Sequence, residues 1–151
     1  MFPVYFSALA IIAGSLQIFF LKTPPLTAFL LAFIVSTIGL QGLFSFCGHF
    51  YTPDKVAKGI GWPPGNPFQT EIAFTNLSFG ILGILSIWFH GDFWLATIVG
   101  RSVFIWGAGY VHIQDIKRNK NSSHLNAGPV LYFDIALPLV LFGLYVAEML
   151  T

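Results

Sequence analysis

The sequence predicts an all-α integral membrane protein, a bundle of about five transmembrane helices forming a single domain over residues 1–151. Three observations predict it. Apolar residues make up 56% of the chain and charged ones only 9%, a balance outside that of soluble globular domains. Apolar runs recur at about 20 residues, the length that crosses a hydrocarbon core about 30 Å thick. Short links rich in proline, glycine and charge separate those runs.

The first run, "FPVYFSALAIIAGSLQIFFL", lacks the positive leading region of a secretory signal and has the length of a span. "KTPPL" follows as a turn, its paired prolines unable to continue a helix. The second span runs from about Thr27 to Phe50, the third from about Pro67 to Phe89, the fourth from about Phe93 to Ile116, and the fifth from about Gly128 to Leu150. Between the second and third lies "YTPDKVAKGIGWPPGNPFQTE". Thr52 before Pro53 reads as an N-cap hydroxyl with proline at the first helical position, and Val56 and Ile60 share a face, so a short interfacial helix is expected there. Trp62 suits the headgroup boundary. Asn66, Pro67 and Gln69 then read as a cap, a first-position proline and the reciprocal member of a capping box.

Lys55, Lys58, Lys117, Arg118 and Lys120 fall on one side of this arrangement and Lys22 on the other. Short loops rich in Lys and Arg stay cytoplasmic. The expected location is therefore the cytoplasmic (inner) membrane as a multi-pass protein, with the N-terminus inside and the C-terminus outside. A net charge of +1 and the lack of a basic stripe exclude nucleic acid as a partner. Cys47 is the single cysteine, which excludes an intrachain disulfide and a multi-cysteine metal site.

Polar residues within the spans recur at helical spacing. On the fourth span Arg101, Ile105, Ala108, His112 and Asp115 follow one face; on the third, Glu71, Thr75 and Ser78; on the second, Thr37, Gln41, Ser45 and His49; on the fifth, Asp134, Pro138, Tyr145 and Glu148. At a rise of about 1.5 Å per residue, Glu71, His112 and Asp134 lie roughly 6 to 9 Å from the cytoplasmic ends of their helices, and His49 and Asp115 roughly 2 to 5 Å. All five could meet at one level. Intramembrane charges are costly and face the bundle interior or a partner, and Pro138 frees the carbonyl of Asp134 as an extra acceptor.

Three chemistries fit such a cluster. In the structural one, Glu71 and Asp134 accept hydrogen bonds from His112, Asn76 or Arg101, within a buried polar network that also takes in Gln41 and Asn126. In the second, His112, Asp115, Glu71, Asp134 and His49 bind a divalent metal such as Zn, Mn or non-haem Fe, although the repeated Glu-x-x-His of helix-borne di-metal sites is missing. In the third, the same groups relay protons or ions. Arg101 sits roughly 12 Å from the outer end of its span, with Glu148 and Asp134 as its acidic partners on the fifth. His90 and His124 read as solvated loop residues and Cys47 as a small packing residue. Gly39 and Gly42, Gly80 and Gly83, and Gly107 and Gly109 permit close helix contact, inside the bundle or in a homo-oligomer within the lipid bilayer.

The runs "HFYTPDKVAKGIGWPPGNPFQTEIAFTNLSFGILGIL", "GAGYVHIQDI" and "NAGPVLYFDIALPLVL" resemble a family of small bacterial multi-pass membrane proteins classified only as a domain of unknown function. The resemblance covers about the last two thirds of the chain, through GWP with PFQxE, GxxHI, and NxG followed by Asp and Pro. The second-to-third-span arrangement is more loosely similar to DoxX-like membrane proteins, some associated with redox and thiol metabolism. The resemblance implies that Glu71, His112, Asn126 and Asp134 are the positions to watch and implies no activity. A structural or accessory subunit of a larger membrane complex is an alternative function, and a membrane oxidoreductase a third.

The distribution of loop bases makes a topological prediction. A reporter fused after Thr151 behaves as external and one inserted at Asn119 as internal; matching locations would overturn the five-span arrangement.

Overall fold

The computed structural model describes residues 2–151. Its elements are six helices: α1 Phe2–Leu21, α2 Pro25–Tyr51, α3 Pro53–Ile60, α4 Phe68–Leu85, α5 Asp92–Asn119 and α6 Pro129–Met149. Among the described residues there is no strand. Helices α1, α2, α4 and α6 are long and apolar enough to cross a membrane. Helix α5 has 28 residues, enough for a crossing, and carries Arg101 near its middle.

Local chemistry sets each boundary. Lys22 ends α1 in the left-handed region, with φ of 56°, and its ammonium returns to the Phe19 carbonyl at 2.9 Å. Pro25 then occupies the first turn of α2, where its missing N–H costs no helical bond. Gly61, at φ of 85°, ends α3 as a left-handed cap. The α4–α5 link is closed by Trp94, whose indole N–H donates to the Ser86 carbonyl at 2.9 Å. Residues 120–128 do not float: Asn121 donates to the Ile60 carbonyl at 2.8 Å, and Leu125 N–H to the Gly59 carbonyl at 3.3 Å. Helix α3 and this loop thus form one cap over the same end of the bundle.

Two expected caps form differently. The Thr52 hydroxyl donates back to the Gly48 carbonyl at 3.0 Å, which also accepts the Thr52 N–H, instead of capping α3, because Thr52 continues directly from α2 and closes its last turn. Asn66 Oδ1 accepts from Phe68 N–H at 2.9 Å, but Gln69 does not close a capping box, because its side chain is drawn inward to His49. Helix α4 also stops at Leu85, short of the expected Phe89.

Helices α2 and α4 meet backbone to backbone. A β-carbon on Gly42 would lie 2.8 Å from both the Asn76 carbonyl oxygen and the Gly80 nitrogen, and Gly39 and Gly83 face each other in the same seam. Leading into these contacts and including Gly39, α2 widens into a π-helical stretch, Ile34–Leu40, with the Thr37 hydroxyl donating to the Phe33 carbonyl at 2.6 Å. Helix α1 packs on α2 through Gly14 against Phe29 and leaves most of its other side chains exposed. Leu30, Ile34, Ile38, Trp94, Ile98, Leu137, Leu141 and Tyr145 fill the core between the far halves of α2, α5 and α6. Gly107 has no neighbour where a β-carbon would stand, and Gly109 is in ordinary contact with Leu131. Close approach therefore belongs to the α2–α4 pair.

The seam predicts a graded mutational series. Gly42→Ala and Gly83→Ala must push the helices apart and destabilise the bundle by about 1–3 kcal/mol, whereas Gly107→Ala is neutral or stabilising by up to about 1 kcal/mol. Thermal unfolding in one detergent compares the three, and equal effects would remove the seam's special role.

Candidate functional site

A cavity of about 560 Å³ opens inside the bundle and is lined by residues of all six helices. It lies where α4 and α5 touch sparsely. Its walls are mostly apolar, including Ile72, Phe104, Ile105, Val130 and Leu125, and the polar groups among them are few and paired in a distinctive way.

At the capped end His112, which is 8% exposed, meets the fully buried Asn126, with Nδ1 and Oδ1 at 2.7 Å. Asn126 Nδ2 donates to the Asn121 carbonyl at 2.8 Å, which turns Oδ1 toward the imidazole. An amide oxygen only accepts, so His112 Nδ1 is the donor in this bond. Trp62 stacks on the His112 ring, with centroids 5.6 Å apart and planes within 17°, and donates its indole N–H to Asp115 Oδ2 at 2.9 Å. Asp115 accepts further bonds from Asn119 and Asn121, each 2.6 Å. The Asn119, Trp62 and Asn121 bonds together supply the Asp115 carboxylate with three donors. Across the cavity His49 Nδ1 pairs with Gln69 Oε1 at 2.6 Å.

Deeper in the cavity Arg101, 3% exposed, donates from Nη1 to Asn76 Oδ1 at 3.0 Å. The rings of Phe79 and Phe104 flank its guanidinium at 5.8 and 5.4 Å. Arg101 Nε has no partner, and neither has the buried Gln41 Oε1. Asp134 lines the same cavity and is 7% exposed, yet Arg101 turns to Asn76 and not to it. Such unpaired buried groups are uncommon because each forfeits its hydration.

Of the residues expected to share a site, the structure gathers Gln41, His49, Asn76, Arg101, His112 and Asp134 around one cavity. Glu71 is not among them: it is exposed, and Thr75 and Ser78 bond back to carbonyls of their own helix. The cavity face of α4 is instead Gln69, Ile72 and Asn76, at spacings of three and four, and Glu71, two residues past Gln69, points about 200° away. Asp115 belongs to the Trp62 and Asn121 network and does not line the cavity. Glu148 accepts from Thr27 at 3.5 Å and leaves Arg101 without it as a partner. Among the described residues no three His, Cys, Asp or Glu side chains come together to hold a metal ion. Gln69 and Trp62 as site members escaped the polar-stripe reading, which on α4 followed Glu71, Thr75 and Ser78; the i, i+3, i+7 spacing of Gln69, Ile72 and Asn76 was the signal for Gln69, and Trp62 lies in the link before α4.

Residues 1–150 match a family of unknown function, DUF6790. The chain belongs to that family. The match extends through α1 and α2, beyond the stretches that carry the resemblance in the sequence. No curated protein and no solved structure matches this member of DUF6790, so its geometry is the ground for a functional reading.

The His112–Asn126 bond yields a double-mutant prediction. His112→Ala leaves a fully buried amide oxygen without its donor and lowers stability by about 1–3 kcal/mol, Asn126→Ala does likewise, and the double variant loses less than the sum. Additive losses in thermal unfolding would show that the two side chains do not act as a unit.

Proposed function

We propose that this protein is a five-span inner-membrane protein, its α3 end cytoplasmic, that binds a small amphipathic molecule within the bilayer. The observation that carries the reading is the cavity of about 560 Å³ in which two buried polar groups, Arg101 Nε and Gln41 Oε1, have no partner. Ligand pockets commonly span about 300–1,000 Å³, mostly apolar with a few converging polar groups. Exposed Phe44, Val103 and Val111 rim the cavity. All three stand well inside their helices, so the mouth lies along the side of the bundle, where hydrocarbon would be. The five bases at the α3 end, Lys55 and Lys58 on α3 and Lys117, Arg118 and Lys120 at the end of α5, support the orientation.

Ion or proton conduction fits less well. Beyond Arg101 the bundle is filled by Leu30, Ile34, Ile38, Ile98 and Leu141, and the buried polar side chains there are hydroxyls such as those of Thr37, Thr97 and Ser102, with no buried carboxylate or imidazole among the described residues there to carry a charge onward. A dead-end chamber with an apolar wall suits a bound molecule better than a passing ion.

Purification in native lipid followed by organic extraction and mass spectrometry tests the reading. One small molecule is expected in a near-stoichiometric amount, reduced by about tenfold or more in Ala108→Trp, which fills the cavity from α5 while the bundle stays folded. Extracts identical in wild type and variant would refute it.

A further inference from the structure

The polar groups at the deep wall of the cavity define the head of that molecule. Arg101 sits on α5 with Nη1 on Asn76 Oδ1 and Nε free; Gln41 sits on α2 with Oε1 free; Asp134 sits on α6. Arg101 and Gln41 are each 3% exposed and line the cavity. The guanidinium is held between Phe79 and Phe104, which restricts its swing toward Asp134. Three unmet demands result: an acceptor for Arg101, a donor for Gln41 Oε1 and a donor for Asp134.

Formal charge narrows the choice. Arg101 and an ionised Asp134 carry opposite charges on one cavity, so the pair adds no net charge to the bundle interior. An anionic head would pair with Arg101 but bring a second negative charge beside Asp134, and a cationic head would repeat the problem at Arg101. Each leaves a charge uncompensated in a medium where this is costly. A hydroxyl is uncharged, donates once and accepts twice, so two neighbouring hydroxyls meet all three demands. The apolar wall and the side mouth then take a hydrocarbon chain, and a cavity of about 560 Å³ accommodates one chain with a small head, not a whole two-chain phospholipid.

Building on the binding reading above, we infer that the ligand is a single-chain lipid with an uncharged, hydroxylated head group, recognised jointly by Arg101, Gln41 and Asp134. A monoacylglycerol has this chemistry.

The test uses the full protein in phosphatidylcholine nanodiscs and three probes sharing one chain: 1-monoolein, ionised oleate and oleylamine. Native mass spectrometry reads the bound fraction of each. Wild type is expected to prefer monoolein to both charged probes by about tenfold or more. Asp134→Asn shifts the preference toward oleate, and Arg101→Gln toward oleylamine, because each leaves one charge unbalanced. Should Arg101→Gln fail to fold, Asp134→Asn alone decides. Oleate or oleylamine as the best wild-type ligand, or an unchanged order in Asp134→Asn, overturns the inference while leaving ligand binding in place. Failure of all three probes also overturns it; the binding reading falls with it only if extraction recovers no molecule sensitive to Ala108→Trp.

Discussion

The backbone contact between α2 and α4 is the constraint on which the rest of the site depends. Gly39 and Gly42 on one helix and Gly80 and Gly83 on the other leave no room for a β-carbon at the crossing. Helices this close cannot rotate about their axes without collision, and in lipid, where apolar surface has no water to escape, such packing supplies much of the association energy. With the rotation of α4 set, Gln69 and Asn76 face the interior and Glu71 faces out. The π-helical stretch in α2 falls within the same region and adjusts its register so that Thr37 bonds locally while Gln41 and His49 turn to the cavity.

From that seam the polar chemistry follows as a set of amide partnerships. Each buried imidazole or guanidinium is met by a carboxamide: His49 by Gln69, His112 by Asn126, Arg101 by Asn76. An amide orients a donor without adding charge, so each hydrogen bond is made without a second buried ion and its desolvation. The consequence is that the carboxylates are left apart. Asp115 is taken up by Trp62, Asn119 and Asn121 at the capped end, and Asp134 stays on the wall of the cavity that Arg101 also lines. An arrangement that conserves charge this carefully, yet leaves Arg101 Nε and Gln41 Oε1 without partners, is suited to a guest that completes it.

The cap shows how loops can close a chamber in a small bundle. Trp62 lies flat on His112, while Asn121 donates from Nδ2 to both the Ile60 carbonyl and Asp115 and accepts from Asn126 through its backbone carbonyl. The loop histidine His124 and the bases of the loop take no part in these bonds. Rigidity at this end contrasts with the sparse contact of α4 with α5, which leaves the side of the bundle as its open face.

Composition and run length determined the all-helical class and the helix limits to within a few residues, and the Thr52–Pro53 start with its Val56–Ile60 face determined the short helix Pro53–Ile60, because those depend on apolar burial and on local backbone chemistry. Helical periodicity also placed Gln41, His49, Arg101, His112 and Asp134 on inward faces, since a 3.6-residue repeat in α2, α5 and α6 coincides with their packed sides. It failed for Glu71, because α4 carries polar residues on two faces and periodicity does not say which one a neighbour will cover; glycine contacts with α2 decided that. It failed likewise for Asp115, whose partners Trp62 and Asn121 lie 53 and 6 residues away. Choice among candidate hydrogen-bond partners is made by where whole helices and loops come to rest, and only the tertiary structure holds that information.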